Sequence, residues 1–205
     1  MRCNTEQDFK KITNVSRETI QKLNKYVNLL INWQKKFNLV SRNSLNNVWS
    51  RHFLDSFQVL NFTKKNNRIL DFGSGAGFPG LVCGICSNNY IYLVDSNKKK
   101  ISFLNEVKKE LNLKNVFIYR SRIENLKIEK NFDVICARAV SSLQNLIKYS
   151  INLSHIKTKF IFLKGQNVEK EIYLTKKKWI FDLECKQSIT SNMGKILIIK
   201  NIKKK

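Results

Sequence analysis

Proline occurs once in these 205 residues, at Pro79, and histidine only twice, at His52 and His155. No Pro/Gly/Ser-rich linker and no internal repeat divides the chain, so one α/β domain with a modest extension is expected. Two histidines do not complete a zinc site around Cys83-Gly84-Ile85-Cys86, which is the one C-x-x-C pair. The five cysteines, Cys3, Cys83, Cys86, Cys136 and Cys185, are odd in number. They accompany a polar opening, Met1–Lys10, with no apolar leader core. A disulfide framework is therefore not expected, and a cytoplasmic location is. Cys83 and Cys86 read instead as small apolar residues on a buried helix. No apolar run approaches the roughly 20 residues that span a bilayer.

Acidic residues are scarce too: 15 against 38 lysines and arginines, a net charge of +23. Such a field attracts polyanions, and phosphate contacts supply most of the sequence-independent affinity of nucleic-acid binders. The chain is also rich in Lys, Asn and Ile, as an A/T-biased genome would make it, so charge alone does not decide. A membrane surface is disfavoured because no strongly apolar amphipathic helix accompanies the charge.

What is present reads as a helical part followed by alternating strands and helices. Ile20, Leu23, Val27, Leu30 and Phe37 recur at helical spacing and predict a helix over about 16–37, with Ser16 at its N-cap and Trp33 and Phe37 in the core. A second short helix is expected over 44–60. From Asn67 onward, buried strands are expected at 68–72, 90–94, 116–119, 132–136 and 159–163. Ile101, Leu104, Val107 and Leu111 share one helical face, and Leu143, Leu146 and Ile147 another. Alternation of this kind implies right-handed crossovers and a parallel sheet covered on both faces. After a helix over 168–176 come strands at 179–184 and 196–200, too close for a crossover helix, so the sheet closes antiparallel. The expected fold is α/β: a doubly wound, mostly parallel seven-stranded Rossmann-like sheet. Residues 1–62 form a helical extension packed on a catalytic domain, 63–205.

The segment Asp71-Phe72-Gly73-Ser74-Gly75-Ala76-Gly77-Phe78-Pro79-Gly80 follows the first strand and opens a helix. Ligands of open α/β sheets bind at such a place. Gly75, Gly77 and Gly80 satisfy the dinucleotide pattern G-x-G-x-x-G, which would suit an NAD-dependent oxidoreductase. Two features favour S-adenosylmethionine. Gly73 begins a G-x-G-x-G series, and Asp71 at the strand end would repel a pyrophosphate but suits the cationic methionine end of that cofactor. Asp95, at the end of the second strand, suits ribose hydroxyls under either reading.

The chain resembles the 16S ribosomal RNA guanine-N7 methyltransferases, the glucose-inhibited division protein B family, from about Tyr26 to Gly165. The resemblance is carried by Trp33 with Phe37-Asn38-Leu39, by Arg51-His52-Phe53-Leu54-Asp55-Ser56, and by the glycine loop ending Phe78-Pro79-Gly80. Leu93-Val94-Asp95-Ser96, Ser121-Arg122-Ile123-Glu124, Arg138-Ala139-Val140 and Leu163-Lys164-Gly165 complete it. It implies cofactor contacts at Gly73, Phe78, Ile123, Glu124 and Arg138. It implies as substrate a guanine of the 530 loop, position 527, in the small-subunit RNA. The chain departs from the family at its C-terminus, where Lys195 follows Gly194 in place of a frequent Arg.

Guanine N7 carries a free lone pair, so methylation there requires no general base, only alignment and electrostatics. The chain lacks the Asn/Asp-Pro-Pro-Tyr segment of exocyclic-amine enzymes, and Cys136 lacks the preceding proline of cytosine-C5 enzymes. Arg138 is expected to position guanine, phosphate or cofactor, with a structural salt bridge as the plainer reading. Arg51, His52 and Lys164 are candidate RNA contacts. His52 and Asp55 more readily brace the short helix against the site. No metal site is expected, and a monomer is. A ribosome-assembly factor without turnover is the third reading, which the intact loop with Asp71 and Asp95 disfavours.

Overall fold

The computed structural model describes residues 3–128 and 132–205. The first two residues of the polar opening, and residues 129–131 within the span of the resemblance, lie outside the described residues. Seven strands form one sheet: β1 (Arg68–Phe72), β2 (Tyr90–Asp95), β3 (Val116–Arg120), β4 (Phe132–Arg138), β5 (Ser154–Lys164), β6 (Trp179–Gln187) and β7 (Lys195–Lys204). Their order is β3-β2-β1-β4-β5-β7-β6. β7 alone runs antiparallel, paired with β5 on one side and β6 on the other. The parallel core and the closing antiparallel hairpin are as expected, and the order places a switch point between β1 and β4. β5 to β7 run longer than their apolar runs, because their ends are polar rungs that a hydrophobic count passes over.

Helices cover both faces. α1 (Glu6–Thr13) and α2 (Arg17–Gln34) lead into short turns over Arg42–Leu45 (α3), Trp49–Leu54, Asp55–Phe57 (α4) and Gln58–Phe62. These join α5 (Gly80–Cys86) and α6 (Lys98–Glu110) against one face; α7 (Leu143–Ser150) and α8 (Val168–Lys176) cover the other. Period-two alternation divides the strands cleanly. Ile69, Leu93, Val134, Cys136 and Ile161 share a core with Phe9, Tyr26, Phe53, Leu81 and Phe103. Leu70, Phe72, Ile135, Phe160 and Phe162 share the other with Leu143 and Ile147.

Two helix expectations need correction. The 16–37 helix begins as expected, with the Ser16 side chain accepting from the Thr19 amide. It ends at Gln34, whose Oε1 accepts from the Leu39 and Val40 amides and whose Nε2 donates to the Val40 carbonyl. That side chain folds residues 35–40 back, so Phe37 leaves the helix and lies under the Lys99 ammonium, 4.6 Å from its ring centroid. A separate helix, α1, precedes it, begun by a Thr5–Asp8 capping box. The expected helix over 44–60 is broken. Asn46-Asn47 offer side-chain competition for the backbone, and Trp49–Leu54 widens into a π-helical turn. Such turns are rare and concentrate at functional sites.

Pro79 stands at the N-cap of α5, one residue before its first turn. Cys83, on α5, and Cys136, on β4, are fully buried, and burial pushes both thiols well above their ordinary range. A thiol so placed is a structural residue, not a nucleophile. All five cysteines are unpaired. No described helix is long and apolar enough to cross a membrane, and among the described residues no group of three His, Cys, Asp or Glu is placed to hold a metal ion.

Candidate active site

The carboxyl ends of β1, β2 and β4 meet at the switch point. Asp71, Asp95 and Arg138 follow Ile69, Leu93 and Cys136 at a spacing of two, so all three side chains point to the face covered by the N-terminal helices. Asp71 is fully buried there. One of its oxygens accepts from the Gly80 amide at 3.0 Å, and the other has no partner. Asp95 is 7% exposed and holds the loop from the other side, accepting from the Gly75 amide at 2.9 Å and the Asn97 amide at 2.8 Å. Lys100 Nζ lies 3.7 Å from Asp95.

Gly73, Gly75 and Gly77 all have positive φ, at 67°, 59° and 95°. Only glycine adopts such angles without cost. Their surroundings differ. A Cβ on Gly73 would lie 2.5 Å from Val140, and one on Gly77 would lie 2.4 Å from Leu81 and 2.7 Å from the Tyr26 hydroxyl. A Cβ on Gly75 would meet nothing nearer than 3.8 Å. Gly75 therefore faces open space while its neighbours close the loop onto the fold.

S-adenosylmethionine fits this arrangement. Gly75 leaves room for a ligand against the loop. The unpartnered Asp71 oxygen, 0% exposed, is a buried acceptor that suits a cationic ligand. A pyrophosphate finds a worse match, because the first amide of α5 is already taken by Asp71.

Phe78 contributes its ring to the interior and is 4% exposed. It is stacked between Tyr26, at 5.5 Å, and His52, at 4.5 Å, with the Arg138 guanidinium 5.1 Å from its centroid. Ile123 and Glu124 form a short turn after β3, where Ile123 packs against the second core and Glu124 is exposed. Both line a separate surface cleft of about 770 Å³ with Lys148 and Tyr149.

Arg138 is the hub of a second group. It donates to the Arg51 carbonyl at 2.8 Å, to Asp55 Oδ2 at 3.2 Å and to His52 Nδ1 at 2.7 Å. A guanidinium only donates, so His52 Nδ1 is the acceptor and Nε2 carries the proton, which it gives to Ser44 Oγ at 2.9 Å. The π turn and the first residue of α4 present Arg51, His52 and Asp55 to β4 together. Asp55 also accepts from Thr190 Oγ1 at 2.8 Å, and Gln58 binds Ser188 Oγ at 3.1 Å and the Ile189 amide at 2.9 Å. The β6–β7 loop is thereby tied to the N-terminal helices around a cleft of about 740 Å³.

Lys164 lines that cleft but belongs to the other face of the sheet. Its ammonium is 2.7 Å from Glu171 and 2.8 Å from the Ser141 carbonyl, with the side chain 9% exposed. It is neither a free phosphate contact nor a solvated strand end. Period two on β5 explains this: Lys164 follows Phe160 and Phe162 onto the α8 side.

Asp71 and His52 carry opposite pH signatures. Burial lifts the Asp71 carboxyl to about 7, against the pull of the Gly80 amide, Ser74 and Arg138. Burial presses the His52 imidazole down to about 3, aided by Arg138 and Arg51. From about pH 4 to 7 the folded state keeps a proton on Asp71 that the unfolded chain releases, so that contribution to stability is lost as pH rises. From about pH 3 to 6.5 the unfolded chain binds a proton at His52 that the folded state refuses, so that contribution is lost as pH falls. Asp71→Asn should therefore steepen the rise of stability between about pH 4 and 6.5. Urea denaturation across that window, giving slopes equal to the parent's, would show that Asp71 holds no proton in the folded state.

The fold recurs in solved methyltransferases. A putative S-adenosylmethionine-dependent methyltransferase of Methanococcus maripaludis matches with a TM-score of 0.60 and 16% identity, over 73% of this chain and 84% of that one. One from Aquifex aeolicus matches with a TM-score of 0.60 and 15% identity, over 73% and 91%. Fold, glycine loop and strand-end carboxylates together define a class I S-adenosylmethionine-dependent methyltransferase. Residues 19–200 match the model of the GidB family, rRNA small subunit methyltransferase G. The ribosomal RNA small subunit methyltransferases G of Rickettsia typhi and Rickettsia prowazekii are each 39% identical over 191 residues, 93% of this chain and 98% of theirs. The chain belongs to that family.

Asp95→Ala should weaken cofactor binding while the protein stays folded. A lost charge-assisted contact costs on the order of 1.5–3 kcal/mol, and here the loop amide of Gly75 is released as well. Calorimetry with S-adenosylmethionine, checked by circular dichroism, measures it. Undiminished affinity in a folded variant would take Asp95 out of the site.

Proposed function

We propose that this chain transfers the methyl group of S-adenosylmethionine to N7 of guanine 527, in the 530 loop of 16S ribosomal RNA. The observation that carries this reading is the state of the bases around the 740 Å³ cleft. His52 spends both nitrogens, on Arg138 and Ser44, and burial keeps it neutral. Asp55 is paired with Arg138, and Glu171 with Lys164. None of these is free to take a proton. Guanine N7 gives none up, because its lone pair lies in the ring plane and attacks directly, leaving a cationic ring.

When bound, the cofactor supplies an electrophilic sulfonium methyl. Gly73, Gly75, Gly77 and Asp95 would hold it, with Ile123 and Glu124 at its far side. Asp71 braces the loop through Gly80, and Phe78 acts as the floor beneath Arg138 and His52. Arg138 fixes a positive charge at the mouth of the loop, where it positions guanine or phosphate. Arg51, exposed at the rim, is the RNA contact of this group.

Residues 1–62 are read as an extension serving a catalytic domain, 63–205. Its Phe9, Tyr26 and Phe53 share a core with Leu81 and Phe103, and its Arg51 and Asp55 line the cleft. The small ribosomal subunit as the target particle, a monomeric state and a cytoplasmic location belong to the same proposal.

The test is chemical. N7-methylguanine is labile, so small-subunit RNA methylated by the protein should be cut at guanine 527 by borohydride followed by aniline. Cleavage at no guanine, with the methyl label on adenine or cytosine, would overturn the assignment.

A further inference from the structure

A second cationic surface lies at the end of the sheet away from the cofactor loop. β7 begins beside Lys164, at the catalytic end, and finishes with Lys204 opposite Trp179. At about 3.3 Å per residue these ends are about 30 Å apart. α8 runs directly into Lys176-Lys177-Lys178, and β6 follows. Lys203 and Lys204 end the neighbouring strand and Lys205 follows it: Lys203 pairs with Ile180, and the Lys205 amide donates to the Lys178 carbonyl at 3.0 Å. The fold thus gathers two runs of three lysines from distant parts of the chain, all six exposed. Among the described residues none of the six lies within 4 Å of a carboxylate. Beside them Tyr173 is 65% exposed, with Lys177 Nζ 4.8 Å from its ring centroid.

Lysines also serve to blunt the free edge of a sheet, and β6 is such an edge. That does not account for this cluster. β6 already carries Asp182, Glu184 and Lys186 along its length, whereas the six lysines sit at one end and spread onto β7 and the turn after α8. Six unpaired like charges beside an exposed aromatic ring suit a polyanion with unstacked bases, since phosphates neutralise the ammonium groups and a base stacks on the ring.

We propose that this far end is a second RNA contact. It would hold phosphates of the same RNA about 30 Å from the reacting guanine, so that the enzyme favours a long or folded RNA over a minimal hairpin. The inference rests on the RNA-methylating reading above.

The test uses the full chain carrying Lys176→Ala, Lys177→Ala, Lys203→Ala and Lys204→Ala. Its substrates are unmethylated small subunits and a short hairpin, under 30 Å long, bearing the target loop. KM for the subunit should rise roughly 10- to 100-fold, with a shallower fall of log affinity against log salt. The subunit kcat, hairpin methylation and S-adenosylmethionine affinity should stay unchanged. Tyr173→Ala should weaken subunit binding and Tyr173→Phe should restore it. An unchanged subunit KM overturns the proposal, as does an equal loss on both substrates, which would mark a general field effect. Self-association of the variant in sedimentation, with KM unchanged, would assign the lysines to edge protection and overturn it too. If the parent methylates neither substrate, the functional reading fails, while a mobility-shift comparison of parent and variant on subunit RNA still decides the contact.

Discussion

Gly75→Val is expected to give a folded protein that no longer binds S-adenosylmethionine. The Cβ position of Gly75 points into open space, with only the Gly73 carbonyl at 3.8 Å and Lys100 Nζ at 3.9 Å nearby. The fold therefore accommodates the side chain, apart from about 1–2 kcal/mol for a branched residue at φ 59°. The cofactor has no such freedom, since the valine methyl groups would occupy the space against the loop. A loss of roughly 100-fold or more, about 2.7 kcal/mol, is expected in calorimetry. Gly77→Ala should behave in the opposite sense. Its Cβ would lie 2.4 Å from Leu81 and 2.7 Å from the Tyr26 hydroxyl, at φ 95°. Tyr26 donates to the Ala76 carbonyl and stacks on Phe78, so the clash reaches the contact between the extension and the loop. Overpacking there costs about 1–3 kcal/mol beyond the backbone strain, and urea denaturation should show it. If Gly75→Val bound cofactor like the parent, or Gly77→Ala unfolded at the parent's midpoint, this division of roles in the loop would be wrong.

The place of the glycine loop and of its two carboxylates was legible because their signals are local. Asp71 and the three glycines lie within seven residues, and Asp95 ends an apolar run that can only be a strand. Alternation along β1 and β4 already places Asp71 on one face with Cys136 and Arg138. The same alternation on β5 would have sent Lys164 to the opposite face, toward α8, and so away from Arg138. There its ammonium is held by Glu171 and the Ser141 carbonyl. Gln58, Ser188 and Thr190 had no such signal. Their contacts join residues about 130 positions apart, and each is a common polar residue that alone suggests a loop or a cap. The break in the helix expected over 44–60 was hidden for another reason. Its apolar residues keep a helical rhythm, while the π turn that rotates Arg51, His52 and Asp55 toward β4 is set by tertiary contacts with Arg138. The far-end lysine cluster was visible only as composition, because its two runs meet through β6–β7 pairing.

Arg138→Ala should lower kcat by about 100-fold while leaving the fold intact, the loss expected when a reacting group is no longer held in register. The Arg138 side chain is 17% exposed, so its loss opens the cleft without emptying the core. It leaves Asp55 with Thr190, Ser188 and Gln58 as partners, which limits the stability cost to about 1–2 kcal/mol. Arg138→Lys should not rescue turnover. One ammonium cannot serve the Arg51 carbonyl, Asp55 and His52 in the directions that the planar fork serves at once. Asp55→Asn is the milder variant, because the amide oxygen still accepts from Thr190, while the NH2 in place of Oδ2 cannot accept from Arg138, which keeps the Arg51 carbonyl and His52. The expected order of kcat is parent, Asp55→Asn, Arg138→Lys, Arg138→Ala, with S-adenosylmethionine affinity changing less than turnover. His52 supplies an independent readout. Burial is the largest cause of its low pKa and Arg138 the next, so in Arg138→Ala its imidazole should titrate higher than in the parent and still below 6.5 by NMR. Parental turnover in Arg138→Ala, with His52 shifted as described, would make Arg138 a structural ion pair and move the positioning charge elsewhere in the cleft.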